Sequence, residues 1–121
     1  MNRRETGAAG EDIAARCLES NGFEILERNF RWRAGEIDIV ARDGATLVFV
    51  EVKARRPGPF GAAAEQITAR KRRRIVRTAL AYMAGRGISG AECRFDVVAV
   101  DLPPSGAPVA RLIKGAFDCW R

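Results

Sequence analysis

At 121 residues, with 47% hydrophobic and 30% charged side chains, the chain has the size and composition of one folded domain, residues 1–121, and not of a disordered segment. A formal charge of +6, carried mostly by arginine, points to an anionic partner, although arginine-rich codon usage produces the same bias. The absence of any histidine removes the usual zinc ligand and the usual neutral-pH base, so hydrolysis here would need metal-activated water or another base.

No apolar run approaches the roughly 20 residues of a membrane-spanning helix, and the first seven residues lack the apolar segment of a signal peptide. The expectation is a cytoplasmic chain with no membrane partner. Cys17, Cys93 and Cys119 are odd in number and widely spaced, which predicts reduced, buried thiols.

Residues 6–21 predict the first helix, with Thr6 as its N-cap and Asn21-Gly22 as its stop. Gly7, Gly10, Ile13, Ala14, Cys17 and Leu18 recur at helical spacing, and the small residues among them permit close packing. Phe23 to Phe30 reads as a strand leading through Arg31-Trp32-Arg33 to the next. Cations flanking an aromatic can follow a nucleic-acid backbone while the ring stacks on a base, so Asn29, Arg31, Trp32 and Arg33 are candidate binding residues; the competing reading is a simply packed Trp32.

Residues 36–53 hold the centre of the chain: two apolar runs hinged at Asp43-Gly44, a pair that favours a type I′ turn and hence a β-hairpin. A turn centred there pairs Val40 with Leu47, Asp38 with Phe49 and Glu36 with Glu51. Asp38 then lies diagonal to Glu51 at roughly 7–8 Å, and Lys53, two residues beyond Glu51, points the same way. Carboxylates crowded on one face at the end of the most apolar run in the chain need a cation. Mg²⁺, or Mn²⁺ in its place, held by one or two carboxylates and waters, would supply it. The competing reading is a solvated face of ion pairs.

After the hairpin, residues 54–61 are too rich in Pro and Gly for regular structure and predict a loop beside the site. A second helix begins at Ala62 or at Thr68 and runs to Gly85. Its cluster Arg70, Lys71, Arg72, Arg73 and Arg74, with Arg77, is the strongest basic signal in the chain. If Thr68 caps the helix, these cations crowd the positive end of its dipole, which a phosphate backbone would relieve; a start at Ala62 removes that penalty. Ile75, Val76, Ala79, Leu80, Tyr82 and Met83 predict the buried stripe, with Arg72 continuing it and Lys71 at its margin, so that both are expected to lean toward the sheet. Residues 93–102 predict a further strand, containing Asp96 either as a partner for a cation or facing solvent. Residues 109–113 predict the last strand, and the tail is expected to pack Phe117 and Trp120.

Three stretches carry a resemblance: Gly35-Glu36-Ile37-Asp38-Ile39-Val40, then residues 48–55 through Glu51-Val52-Lys53-Ala54-Arg55, then Arg94-Phe95-Asp96-Val97-Val98. An acid, a hairpin and Glu-x-Lys resemble the PD-(D/E)xK motif of restriction-endonuclease-like nucleases. More narrowly, nearly the whole chain resembles the YraN-like family of uncharacterised bacterial proteins, itself similar to archaeal Holliday junction resolvases. The resemblance implies an α/β fold, a mixed β-sheet flanked by helices in the order αβββαββ. It implies Asp38 and Glu51 as metal ligands with Lys53 positioning the attacking water, and Glu11 on the first helix as a further catalytic acid and ligand. It implies a homodimer as well. Two positions depart from the pattern: Ile37 stands where the motif has proline, and Arg70 where an exonuclease-type Gln66-x-x-x-Tyr would have tyrosine.

The expected function is a metal-dependent endonuclease acting on DNA, branched or structured, with Arg31, Arg33, Arg55, Arg70, Lys71, Arg72, Arg73 and Arg74 as nucleic-acid-binding residues. The alternative is a nucleic-acid-binding module that keeps the fold without cleaving, and a third reading is a basic helix docking an acidic partner.

Overall fold

Leu47-Val48-Phe49-Val50 is apolar on both faces, and such a strand must be covered on both sides. In the computed structural model, which describes residues 2–56 and 67–117, this run forms the middle of a five-stranded sheet. The elements are α1 (Arg3–Ser20), β1 (Glu24–Trp32), β2 (Gly35–Asp43), β3 (Thr46–Arg55), α2 (Ala69–Gly85), β4 (Cys93–Asp101) and β5 (Val109–Phe117). The order αβββαββ is therefore as expected. The strands lie in sequence order, with β3 and β4 parallel and every other neighbour antiparallel. A parallel pair cannot close through a hairpin, and the return passes through α2. The loop expected at residues 54–61 falls mostly outside the described residues, as do Gln66, Cys119 and Trp120.

Each helix covers one face. Ala14, Ala15 and Leu18 of α1 pack with Ile39, Ala41, Val48, Val50, Val98 and Val100, while Ile75, Ala79 and Tyr82 of α2 pack with Ile37, Val40, Leu47, Phe49 and Phe95. The aromatic rings fix α2 against the sheet: Phe49 meets Tyr82 edge-on at 5.9 Å and stacks on Phe95 at 5.5 Å.

The structure moves several boundaries. α1 begins three residues earlier than expected, capped by Asn2, whose side chain accepts from the Glu5 backbone N–H at 2.9 Å. Thr68 is the cap of α2, accepting from the Lys71 N–H, so the basic cluster does sit at the positive end of the helix dipole, with no acid in the first turn. The buried stripe of α2 is largely the one expected, with Ile75, Ala79 and Tyr82 buried and Val76 and Met83 partly buried beside them, but Thr78 joins it, Leu80 is exposed, and of the two basic residues expected to lean toward the sheet Lys71 does so and Arg72 is exposed. Asp96 is wholly buried and meets the Arg94 guanidinium at 2.9 Å and the Gly115 N–H. It is a structural ion pair. Cys17 and Cys93 are half-buried, and the Cys93 thiol lies 3.4 Å from the Met83 Sδ.

α1 approaches β3 closely because Gly10 lacks a side chain: a Cβ there would lie 2.2 Å from the Cβ of Ala54. Gly10→Ala should therefore cost roughly 1–3 kcal/mol, read as a lower urea midpoint, and Ala54→Gly in the same chain should recover part of it. An unchanged midpoint would mean that α1 can shift away freely.

Candidate functional site

The hairpin forms with a register two residues from the one expected: Val40 pairs with Phe49 and Asp43 with Thr46, leaving Gly44 and Ala45 as the turn. Gly44 alone takes the left-handed backbone (φ 61°), so the turn is not type I′. Asp43 is held out of it by Arg94 at 2.8 Å and Lys114 at 3.4 Å. A shift of two preserves which face each side chain takes, so the acids still converge. The regular pairing runs from Asp43–Thr46 to Ile39–Val50 and stops short of Asp38.

At that point the face alternation of both β1 and β2 slips. Ile37 packs under α2 but Ile39 under α1, and on β1 Asn29 takes a left-handed backbone (φ 57°), which Asn tolerates better than most residues. Asp38 leaves the regular ladder there and its Oδ2 accepts the backbone N–H of Val52 at 2.8 Å. Burial, then the nearby charge of Glu51, push the Asp38 carboxyl up to about 7, against the partial relief of the Val52 bond. Glu51 is buried, and its Oε1 meets the Lys71 ammonium at 2.8 Å. Burial alone would lower the Lys71 pKa, but the bond to Glu51 and its charge more than offset this and raise it. Lys53 stands beside Lys71. Two acids and two lysines thus meet at the carboxyl end of β3.

Asp38, Lys53 and Lys71 line a cleft of about 760 Å³ between the start of α1 and the start of α2, together with Glu11, Asn29 and Glu36 among others, while Glu51 lies buried behind Lys71. Glu11 reaches the cleft, but its Oε1 is taken by Arg28 Nε and Asn29 Nδ2, both at 2.8 Å. Among the described residues no three acid, histidine or cysteine side chains converge on one point as a metal cage. The donor set that does fit a divalent ion is the Asp38–Glu51 pair, two adjacent carboxylates whose mutual repulsion a cation relieves. Mg²⁺ commonly binds in this way, completing its shell with water.

The expected nucleic-acid-binding residues separate. Arg33, Arg70, Arg73 and Arg74 line a second groove, Lys71 and Arg55 line the acidic cleft, Arg31 pairs with Glu36 at 3.6 Å, and Arg72 is exposed on α2. Lys71 leans toward the sheet as expected, but its pairing with Glu51 went unread in the sequence, although its spacing to Ile75, Thr78 and Tyr82 (four, seven and eleven residues) follows the buried stripe. Asn29, a candidate for nucleic-acid binding in the sequence, holds Glu11 instead, and Arg28, which holds it too, was missed.

Residues 10–100 match the uncharacterised protein family UPF0102. A UPF0102 protein of Symbiobacterium thermophilum is 50% identical over 117 residues, covering 97% of this chain and 98% of that one. One from Moorella thermoacetica is 48% identical over 97% of this chain and 98% of its own length. A third, from Geobacter sulfurreducens, is 46% identical over 93% of this chain and 88% of its own. Similarity at this level along almost the full chain settles membership: the protein belongs to the UPF0102 family, the YraN-like group of uncharacterised bacterial proteins.

Proposed function

We propose that the cleft at the carboxyl end of β3 hydrolyses phosphodiester bonds in DNA with the help of a divalent metal ion, in the manner of the PD-(D/E)xK nucleases and the Holliday junction resolvases that the motifs resemble. The observation that carries this reading is the juxtaposition of Asp38 and Glu51, two carboxylates that repel one another at the edge of a cleft that Asp38, Lys53 and Lys71 line. Asp38 and Glu51 would hold the ion. When bound, such an ion supplies Lewis acidity toward a phosphoryl oxygen and toward water.

The remaining chemistry belongs to the chain. The Val52 N–H fixes the Asp38 carboxylate, and Lys71 fixes that of Glu51, so neither acid must reorganise when substrate arrives. Lys53, lining the cleft on the same strand, places a cation where negative charge grows on the phosphoryl group and on the departing oxygen. Glu11, neutralised by Arg28, tethers the first helix to β1 and borders the cleft. The arginine excess supplies the attraction for the polyanion.

The test is cleavage of labelled single-stranded, duplex, flap and four-way DNA with Mg²⁺ or Mn²⁺ and with EDTA. Cut products that require the metal are expected; no cleavage of any substrate by folded, metal-loaded protein would leave the binding-module reading in its place. Lys53→Met should lower the single-turnover rate by about 10²–10³-fold while metal affinity stays within twofold, since Lys53 is not a proposed ligand. Full activity in that variant would remove Lys53 from the chemistry.

A further inference from the structure

α2 presents Arg70, Arg73, Arg74 and Arg77 at a spacing of three, four and seven residues, which brings them onto one helical face. They line a groove of about 690 Å³ whose other wall is the β1–β2 turn, Trp32-Arg33-Ala34-Gly35. The wall is built close: a Cβ on Gly35 would lie 1.9 Å from Thr78 Oγ1, so only glycine lets the turn sit this near the helix. Arg33, in a left-handed backbone (φ 53°), lays its guanidinium 4.5 Å from the Trp32 ring centroid, and the indole is 38% exposed.

None of these five arginines has a carboxylate partner among the described residues, whereas Arg28, Arg31, Arg42, Arg86 and Arg94 each have one. Five like charges around one groove repel, and the positive end of the α2 dipole adds to them. An anionic polymer with repeated phosphates relieves both. The exposed indole narrows the class. Duplex DNA offers a protein surface phosphates and base edges, whereas an unpaired strand also offers base faces, which stack on aromatic rings. The groove also adjoins the acidic cleft along two backbones: Gly35 and Arg70 line the groove, and their neighbours Glu36 and Lys71 line the cleft.

We propose that this groove binds the unpaired arm of a nucleic acid, with a base stacked on Trp32 and phosphates on Arg70, Arg73, Arg74 and Arg77, and so delivers a single-strand–duplex junction to the cleft. The inference rests on the preceding reading in taking the polymer to be nucleic acid and the cleft to be where the junction is delivered.

It is tested by fluorescence anisotropy with the full chain in EDTA, where no metal-dependent cutting occurs. The probes are labelled oligo(dT), a blunt duplex and the same duplex with a single-stranded overhang. Oligo(dT) and the overhang should bind about tenfold or more tightly than the blunt duplex at equal salt. Trp32→Ala should weaken oligo(dT) binding by about 5- to 150-fold, the range that loss of one base–aromatic stack gives, and leave the blunt duplex within twofold. Trp32→Phe should restore most of it. Arg73→Gln with Arg74→Gln should weaken all probes and flatten the single-strand salt dependence by about 0.7 for each phosphate no longer neutralised.

Circular dichroism establishes that the variants fold. Equal binding of oligo(dT) by wild type and Trp32→Ala, or a blunt duplex bound as tightly as the single strand, would overturn the proposal. So would binding to phosphatidylserine vesicles that needs these residues while no oligonucleotide binds. Absence of cleavage on every substrate, with Trp32-dependent strand binding intact, would fail the nuclease reading and leave the groove standing; cleavage indifferent to Trp32 would do the reverse.

Discussion

Asp38→Asn should reduce metal-dependent cleavage by about 10³-fold or more, and Glu51→Gln by a similar factor, each exceeding the effect of any substitution in the arginine groove at saturating DNA. The asparagine is isosteric and its amide oxygen can still accept the Val52 N–H, so the local backbone is retained and what disappears is the charge. Glu51→Gln likewise keeps the shape of the side chain but removes the ion pair with Lys71. Single-turnover rates with Mg²⁺ read the loss directly. A residual rate within tenfold of wild type in either variant would show that the pair does not hold the ion on which cleavage depends.

The same Asp38→Asn substitution should make the metal-free protein more stable, and increasingly so as pH rises. In the unfolded chain the carboxyl has its ordinary pKa of 3.8, whereas burial and Glu51 raise it to about 7 in the folded protein. The folded state therefore holds the proton more tightly than the unfolded state. Below about pH 4 the protonated group carries no penalty, and between there and pH 7 stability falls as the unfolded chain releases its proton first. Above pH 7 the full cost is present, roughly 2–4 kcal/mol from a shift of this size at a site that remains partly accessible. Asparagine has no such titration. Urea unfolding in EDTA at pH 4.5, 6 and 8 should show wild type and variant converging at the lowest value and separating at the highest. A difference that does not change with pH would contradict the raised pKa. Added Mg²⁺ should stabilise wild type alone, since a ligand that binds only the folded state shifts the balance toward it.

The sheet and its element order were legible because the apolar runs of β2, β3 and β4 are long and bounded by turn residues, and because the Glu51-Val52-Lys53 spacing resembled a known motif. The register error of two residues left the faces of the paired part of the hairpin unchanged, but the slip that lets Asp38 leave the ladder and accept the Val52 N–H near Glu51 had no signal in the alternating pattern. The error itself arose from reading Asp43 as a turn residue. Its partners, Arg94 and Lys114, lie about fifty and seventy positions away in the chain and leave no local trace. Lys71 and Arg72 were both expected to lean toward the sheet, because five consecutive cations look alike in sequence, and only the packing of Ile75, Thr78 and Tyr82 decides that Lys71 turns toward the acids and Arg72 does not. The division of the basic residues between cleft and groove depends on the close approach of Gly35 to Thr78, which pairs two elements forty-three residues apart.

Titration calorimetry of the metal-free protein with Mn²⁺ tests most directly whether Asp38 and Glu51 share one divalent ion. One site per chain is expected, with affinity reduced by about tenfold or more in Asp38→Asn and in Glu51→Gln, and unchanged within about twofold in Lys53→Met and Trp32→Ala. Equal binding in wild type and both carboxylate variants, or none in the folded wild-type chain, would contradict it.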